Sequence, residues 1–312
     1  MQRFARILAP LFLSTIVVAC GGGGSPQSAS EPTGSPFPLT VTDDNGVRVT
    51  LDHPPRRIVT FGPSLTETLF ALGAGDRVVG VSGPSDDFPP AARSIEEIGA
   101  GEFGVEPNVE KVVSLRPDLF LYAFTGTPGW MSRLRELHIP VFTLLADDFN
   151  DALHDIDTVG AITGIPERAA DLVGRIRDRE RHIVRQVRAV RPVSCFFETG
   201  YTPPVYTVGP GSLIYDLLQR AGCDPVTKGL GSAYPQLSVE AVVEDDPSVY
   251  LVASDAARSV SSVTNRPGYD AISAVQHHRV FIVNADLVTR PGPRMPQGLS
   301  ILARALHPEV FS

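Results

Sequence analysis

Residues 166–190 read PERAADLVGRIRDRERHIVRQVRAV. Leu172, Val173, Ile176, Ile183, Val184, Val187 and Val190 recur at steps of three and four, while Arg168, Asp171, Arg175, Arg179, Glu180, Arg185 and Arg188 fill the other faces. That periodicity predicts an amphipathic helix. Gly164 and Pro166 mark its start, Pro166 suiting the first helical turn, and Pro192 stops it. At 1.5 Å per residue such a helix is roughly 37 Å long, enough to cross a whole domain. A run of alternating strand and helix signals lies on each side of it, so it reads as the joint between two lobes.

Upstream, two alternating runs at 39–43 and 47–51 flank Asn45-Gly46, a hairpin signal. Residues 57–61 are a short buried strand. Ser64 and Glu67 have the spacing of a capping box, with Ser64 as N-cap, and open a helix with Leu65, Leu69 and Leu72 on one face and Gly73 at its end. Residues 78–81 are the next strand, which makes a parallel strand–helix–strand crossover. The loop 82–90 follows at a strand's C-terminal end, the edge where ligand crevices form in open α/β sheets. A helix at 109–115, a strand at 119–124, a helix at 128–137, a strand at 141–144 and a helix at 149–162 complete the first half. Downstream, strands are expected at 193–198, 249–253 and 280–283, and helices at 212–221, 239–243, 269–274 and 298–306.

One internal match ties the halves together. VEKVVSLRPDLFLYA (109–123) aligns without gaps to VEAVVEDDPSVYLVA (239–253), with seven identities that pair Glu110 with Glu240 and Pro117 with Pro247. The offset is far too long for a solenoid repeat. The expected fold is α/β: two doubly wound lobes joined by a single long α-helix. Its parts are 1–19, 20–38, 39–148 (first lobe), 149–191 (connecting helical segment) and 192–312 (second lobe).

The formal net charge is −8, and Arg3 and Arg6 lie in the first nineteen residues, so the remainder is more acidic still. Nucleic acid, which needs a clustered basic surface, is excluded as a partner. Arg3 and Arg6 precede an apolar run at 7–18 that is too short to span a bilayer and fits a signal peptide. The run ends Val17-Val18-Ala19-Cys20, which resembles the bacterial lipobox. Cys20 is therefore the expected lipidation site and first mature residue. Residues 21–38, rich in Gly, Ser and Pro, are a tether without enough apolar surface to fold. An exported chain can join its other two cysteines, Cys195 and Cys223, but Cys195 sits in the apolar run 193–197, and two buried thiols are the preferred expectation.

PPRRIVTFGPSLTETLFALGAGDRVVGVS, NVEKVVSLRPDLFLY and AYPQLSVEAVV resemble the substrate-binding lipoproteins of ABC importers for vitamin B12, iron-siderophores and haem. The resemblance runs from about Leu39 to the C-terminus. It implies two α/β lobes on one long helix, a ligand cleft between them, no catalytic activity, and a permease with its ATPase as partner. It further implies that Glu110 and Glu240, one at the tip of each lobe, dock on permease arginines. Each also follows a possible N-cap, Asn108 or Ser238, where a carboxylate suits the helix dipole. The cleft candidates are Ser64, Asp86, Phe124 and Trp130 from the first lobe, and Tyr201, Tyr206, Tyr234, Arg290 and Arg294 from the second. Aromatics bury much area of a flat ligand with few rotors, and the arginines suit carboxylates, amides or phosphate.

The histidines are scattered, and adjacent His277 and His278 diverge, so a bare-metal site is not expected. Haem needs an axial Tyr or His, for which Tyr201, Tyr206 or Tyr234 qualify. Ferric siderophores suit cations with aromatics, and cobalamin suits an aromatic, mostly neutral cleft. YPQLSVE and SDDFPP resemble the cobalamin branch most, so cobalamin ranks first. The protein then needs no cofactor of its own; cobalt or iron arrives inside the ligand. A monomer anchored outside the cytoplasmic membrane is expected. A secreted hydrolase built on Asp86-Asp87 or Asp147-Asp148 is the competing reading, without a nucleophile elbow or zinc-protease motif to support it. Metabolic labelling with palmitate should be lost in Cys20→Ala; persistent labelling contradicts the lipid anchor.

Overall fold

The computed structural model describes residues 37–83, 87–99 and 105–311. Cys20 and Asp86 lie outside the described residues. The first lobe opens with the antiparallel hairpin β1 (Leu39–Thr42) and β2 (Arg48–Leu51), turned at Asn45-Gly46 as the sequence predicts. There follow β3 (Ile58–Phe61), α1 (Pro63–Ala71), β4 (Val78–Gly80), α2 (Val109–Ser114), β5 (Leu119–Tyr122), α3 (Gly129–Glu136) and β6 (Val141–Thr143). The four-stranded sheet is wholly parallel, in the order β4-β3-β5-β6. Helices α4 (Phe149–Ile162) and α5 (Pro166–Val187) lead out of it.

The second lobe holds β7 (Val193–Tyr201), β8 (Val205–Thr207), α6 (Leu213–Arg220), β9 (Cys223–Pro225), β10 (Gln236–Leu237), α7 (Val239–Asp245), β11 (Val249–Ala253), α8 (Val260–Thr264), α9 (Ser273–Gln276), β12 (Val280–Val283), α10 (Ala285–Thr289) and α11 (Met295–Leu306). Its sheet runs β10-β8-β7-β11-β12; β9 pairs the start of β7. β7, β11 and β12 are parallel, whereas β8 and β10 are antiparallel additions that short, turn-rich segments concealed in the sequence.

Strand alternation sorts each sheet's side chains onto two faces. Ile58, Leu119, Leu121 and Phe142 of the first sheet, and Cys195, Phe197, Leu251 and Ala253 of the second, belong to one continuous core. The buried stripe of α5, Ala169, Leu172, Val173, Ile176, Ile183 and Val187, sits in that same core with α4, α6 and α11. The long helix thus packs along one face on the core that joins the lobes, rather than standing as a bare strut, and its other faces are exposed. It ends at Val187, three residues before the predicted limit. Gly160 of α4 lets the helices close: a Cβ there would lie 2.3 Å from the Cβ of Ala169. The outer faces carry separate clusters, Val59, Phe61, Phe120 and Tyr122 under α2 and α3, and Phe196, Tyr250 and Val252 under α7, α8 and α9.

The internal repeat is structural. α2–β5 and α7–β11 occupy the same places in their lobes, and matched residues Arg116 (φ 48°) and Asp246 (φ 40°) both take the left-handed conformation before the matched prolines. Asp246 gains compensating bonds, its carboxylate accepting from the Ser273 backbone N–H at 2.6 Å and hydroxyl at 2.7 Å.

Two expectations are corrected. Cys195 and Cys223 form a disulfide rather than two free thiols, because the parallel pairing of β7 with β9 brings their Cα atoms to 5.9 Å. Closing a loop of 28 residues stabilises the fold by about 3–4 kcal/mol in the chain-entropy account. The capping box at Ser64 and Glu67 does not form. Gly62 is the N-cap of α1, at φ 137°, and Ser64 lies inside the helix. A Cβ on Gly62 would lie 2.4 Å from the Cβ of Ala123, so glycine alone lets β3 turn into α1 beside the end of β5.

Asp155 of α4 is 9% exposed, and burial, then the charges of Asp44 and Asp151, push its carboxyl up to about 8. The group therefore stays protonated in the fold where the unfolded chain ionises it. Stability falls as pH rises from about 4 to about 8, by an amount on the order of several kcal/mol. Denaturant titrations should show Asp155→Asn losing this slope and exceeding the parent's stability at pH 8; equal slopes contradict the assignment.

Candidate ligand site between the lobes

The lobes meet at the C-terminal edges of their sheets. Gly292, just beyond α10, lies against Ser64 at the start of α1. One turn along α1, Glu67 reaches across. Its Oε1 accepts from Arg290 Nη1 at 2.9 Å and from Arg294 Nη2 at 2.5 Å, and its Oε2 accepts from Arg294 Nε at 2.7 Å. Its side chain is 3% exposed, those of the arginines 13% and 16%. Arg290 also donates to Asp286 at 2.6 Å and has Asp87 at 3.9 Å, while Arg294 lies over the Phe88 ring, 4.1 Å from its centroid. Burial disfavours the charge on Arg294, but the hydrogen bonds and charge of Glu67 outweigh it and raise the guanidinium's pKa. Removing one partner of such a buried pair typically costs about 3–5 kcal/mol. A cavity of about 400 Å³ beside this clamp is lined from both lobes, by Glu67, Phe70, Phe88, Pro89, Pro293 and Arg294 among others.

A second junction lies nearer α5. Asp216 of α6 accepts from the Phe149 backbone N–H at 3.0 Å and from Arg220 at 2.7 Å, and Arg220 also donates to Glu180 at 2.8 Å. The Arg220 guanidinium covers the Phe149 ring at 4.9 Å.

The cleft candidates divide. Tyr234 is 65% exposed and Tyr206 41%. Gln236 is the register partner of Tyr206, and Tyr234 stands two residues before it. Surrounding atoms, then the charge of Asp147, raise the Tyr234 phenol above its ordinary value although most of its surface is open. Asp147 belongs to the loop that joins β6 to α4, so Tyr234 senses the charge of the first lobe's rim. Phe88, 40% exposed and part of the SDDFPP loop though not among the cleft candidates, supplies an aromatic from the first lobe.

Tyr201 is turned elsewhere. Its register partner is the fully buried Val205, whereas Tyr206 partners Gly200, so Tyr201 and Tyr206 leave the ribbon on opposite faces. The Tyr201 ring lies 3.6 Å from the Arg266 guanidinium. Arg266 is fixed in turn by a two-pronged bond to buried Glu198, at 2.6 and 2.8 Å, and Glu198 accepts from Tyr250 at 2.6 Å. Trp130 is a core residue: α3 packs on the outer face of the first sheet and wedges it 5.3 Å from both Phe120 and Tyr122, with 4% exposure. Phe124 packs edge-on to Phe61 at 5.9 Å and is half-buried at the rim of that cluster. Ser64 is buried. Glu110 and Glu240 are both exposed in the first turns of α2 and α7, capped by Asn108 and Ser238 as expected. Bonds from its own backbone N–H and from the Ser238 hydroxyl hold Glu240 below the ordinary glutamate value. Among the described residues no group of three or more His, Cys, Asp or Glu is placed to hold a metal ion.

Two α/β lobes on a long helix, meeting at their strand ends beside a cavity lined from both, define a bilobal solute-binding protein. Residues 58–287 match the Periplasmic binding protein family, and the chain belongs to it; these are non-enzymatic transport components. An ABC transporter substrate-binding lipoprotein of Bacillus subtilis is 31% identical over 100% of this chain and 99% of its own length. A cobalamin-binding protein of Halobacterium salinarum is 30% identical, over 98% of this chain and 85% of its own. An Fe3+-hydroxamate transport protein of Saccharomonospora viridis, 28% identical, superposes with a TM-score of 0.71 over 88% of this chain and 99% of its own. Replacing Tyr234 by Ala should weaken ligand binding roughly tenfold with an unchanged melting midpoint, while Trp130→Ala should lower the midpoint; the reverse pattern contradicts the placement of the groove.

Proposed function

We propose that this chain is the extracytoplasmic binding component of an ABC importer, that it captures a large metal chelate in the inter-lobe groove, and that the chelate is cobalamin. The B. subtilis relative supports the class and the H. salinarum relative the ligand, by their names and the share of each chain that aligns. The observation that carries the ligand choice is the state of the arginines. Arg290 and Arg294 are engaged by Glu67 and Asp286, and Arg266 by Glu198. An anionic chelate would have to displace a buried carboxylate to use them, whereas a largely uncharged corrinoid needs apolar and aromatic area, which Phe88, Tyr206 and Tyr234 offer. Cobalt arrives within the ligand, and the protein supplies no cofactor. A ferric hydroxamate is the second reading, favoured by the similarity to the S. viridis protein.

Glu110 and Glu240 are the docking groups for the permease in this reading. They are exposed, matched in sequence and matched in place, one on each lobe. Lipidated Cys20 holds the protein at the membrane surface. Mass spectrometry of what the mature domain retains from cell extract should find a corrinoid; a ferric chelate or haem overturns the ligand. Reversing both charges, Glu110→Lys with Glu240→Lys, should abolish uptake and leave affinity intact, and a loss of affinity refutes the docking role.

A further inference from the structure

We infer that Glu67 sets the charge preference of the binding groove. The inference rests on the reading of this chain as a chelate-binding protein. Arg290 and Arg294 leave the second lobe four residues apart, at the end of α10 and the start of α11, and both guanidiniums turn toward the first lobe. Two adjacent guanidiniums at the junction of two sheet edges are the ordinary equipment for holding a carboxylate, a hydroxamate oxygen or a phosphate. Here the protein itself supplies the anion. Glu67 takes three of their N–H groups with one carboxylate, and Asp286 and Asp87 stand around Arg290.

The internal carboxylate differs from a dissolved one in two respects. It is anchored on α1, so no translational freedom is lost when it pairs. It is also nearly buried, so any ligand anion that displaces it must leave a desolvated carboxylate without partners. Both effects tilt the groove against anionic ligands while leaving apolar contacts untouched. Glu67 borders the cavity but commits its carboxylate to the arginines. It acts through the arginines, and what it controls is the ratio of affinities for charged and uncharged ligands rather than affinity itself.

The test uses the mature domain without its lipid and two probes: cyanocobalamin, which carries no net charge, and haemin, whose two carboxylates are ionised at neutral pH. Titrations of Glu67→Gln, which keeps the shape and removes the charge, should raise the haemin-to-cyanocobalamin affinity ratio at least tenfold, and high salt should erase the gain. Arg290→Gln with Glu67 intact should move the ratio the other way. A merely structural role would weaken both probes together and leave the ratio unchanged, and that result overturns the inference. So does a parent domain that already prefers haemin. If Glu67→Gln fails to fold, the Arg290→Gln ratio decides alone. A parent domain that binds neither probe contradicts the proposed ligand class itself, and is thereby distinguishable from failure of the Glu67 assignment.

Discussion

One carboxylate from the first lobe, Glu67, lies between two guanidiniums from the second, and the rest of the molecule is arranged so that they can meet. Residues 223 and 227 positions apart are brought within 2.9 Å. That requires β3 to end where it does, Gly62 to turn the chain sharply into α1, and α10 and α11 to present Arg290 and Arg294 from the far side. Ion pairs this buried are costly to break and weak as a net source of stability. They tie one residue of the first lobe to two of the second. The hydrophobic core shared through α4, α5, α6 and α11 supplies the bulk of the free energy.

The arrangement produces function by separation of tasks. The continuous core and the clamp set the spacing between lobes. Phe88, beside the cavity at the strand ends, and Tyr206 and Tyr234 of the second lobe are the exposed aromatics. The exposed first turns of α2 and α7 carry Glu110 and Glu240 at equivalent places, one on each lobe. The internal repeat explains the equivalence: the same helix–strand unit, down to a left-handed residue before a proline, is used once in each lobe. Asp155 and the Glu198–Arg266–Tyr250 cluster mark where polar groups have been taken into the interior, one kept neutral by its surroundings and the other fully paired.

Much of this was legible in the sequence, because local periodicity and matched segments are local signals. The long helix, the hairpin at Asn45-Gly46, strands 249–253 and 280–283, and the 109–123 and 239–253 match all follow from spacing. What was not legible depends on partners distant in the chain. Ser64 and Glu67 carry the spacing of a capping box, yet α1 begins one residue before Ser64, at Pro63 after Gly62, and Glu67 pairs with arginines that no local rule connects to it. Trp130 resembles a groove aromatic until α3 is seen to lie on the outer face of the sheet. Tyr201 and Tyr206 look alike in sequence, and only the register of β7 with β8 sends them to opposite faces. Cys195 and Cys223 are joined because β9, too short to read as a strand, pairs with β7.

The clamp and the core-packed long helix hold the two lobes at a nearly fixed spacing, so that ligand is signalled by occupancy of the groove rather than by large closure. Spin labels at the exposed positions Ser114 and Glu244, one on each lobe, give that spacing directly by pulsed dipolar spectroscopy. One narrow distance distribution that shifts by less than about 3 Å is expected when cyanocobalamin is added. A broad distribution, or a hinge-like shift on the order of 10 Å, would contradict it.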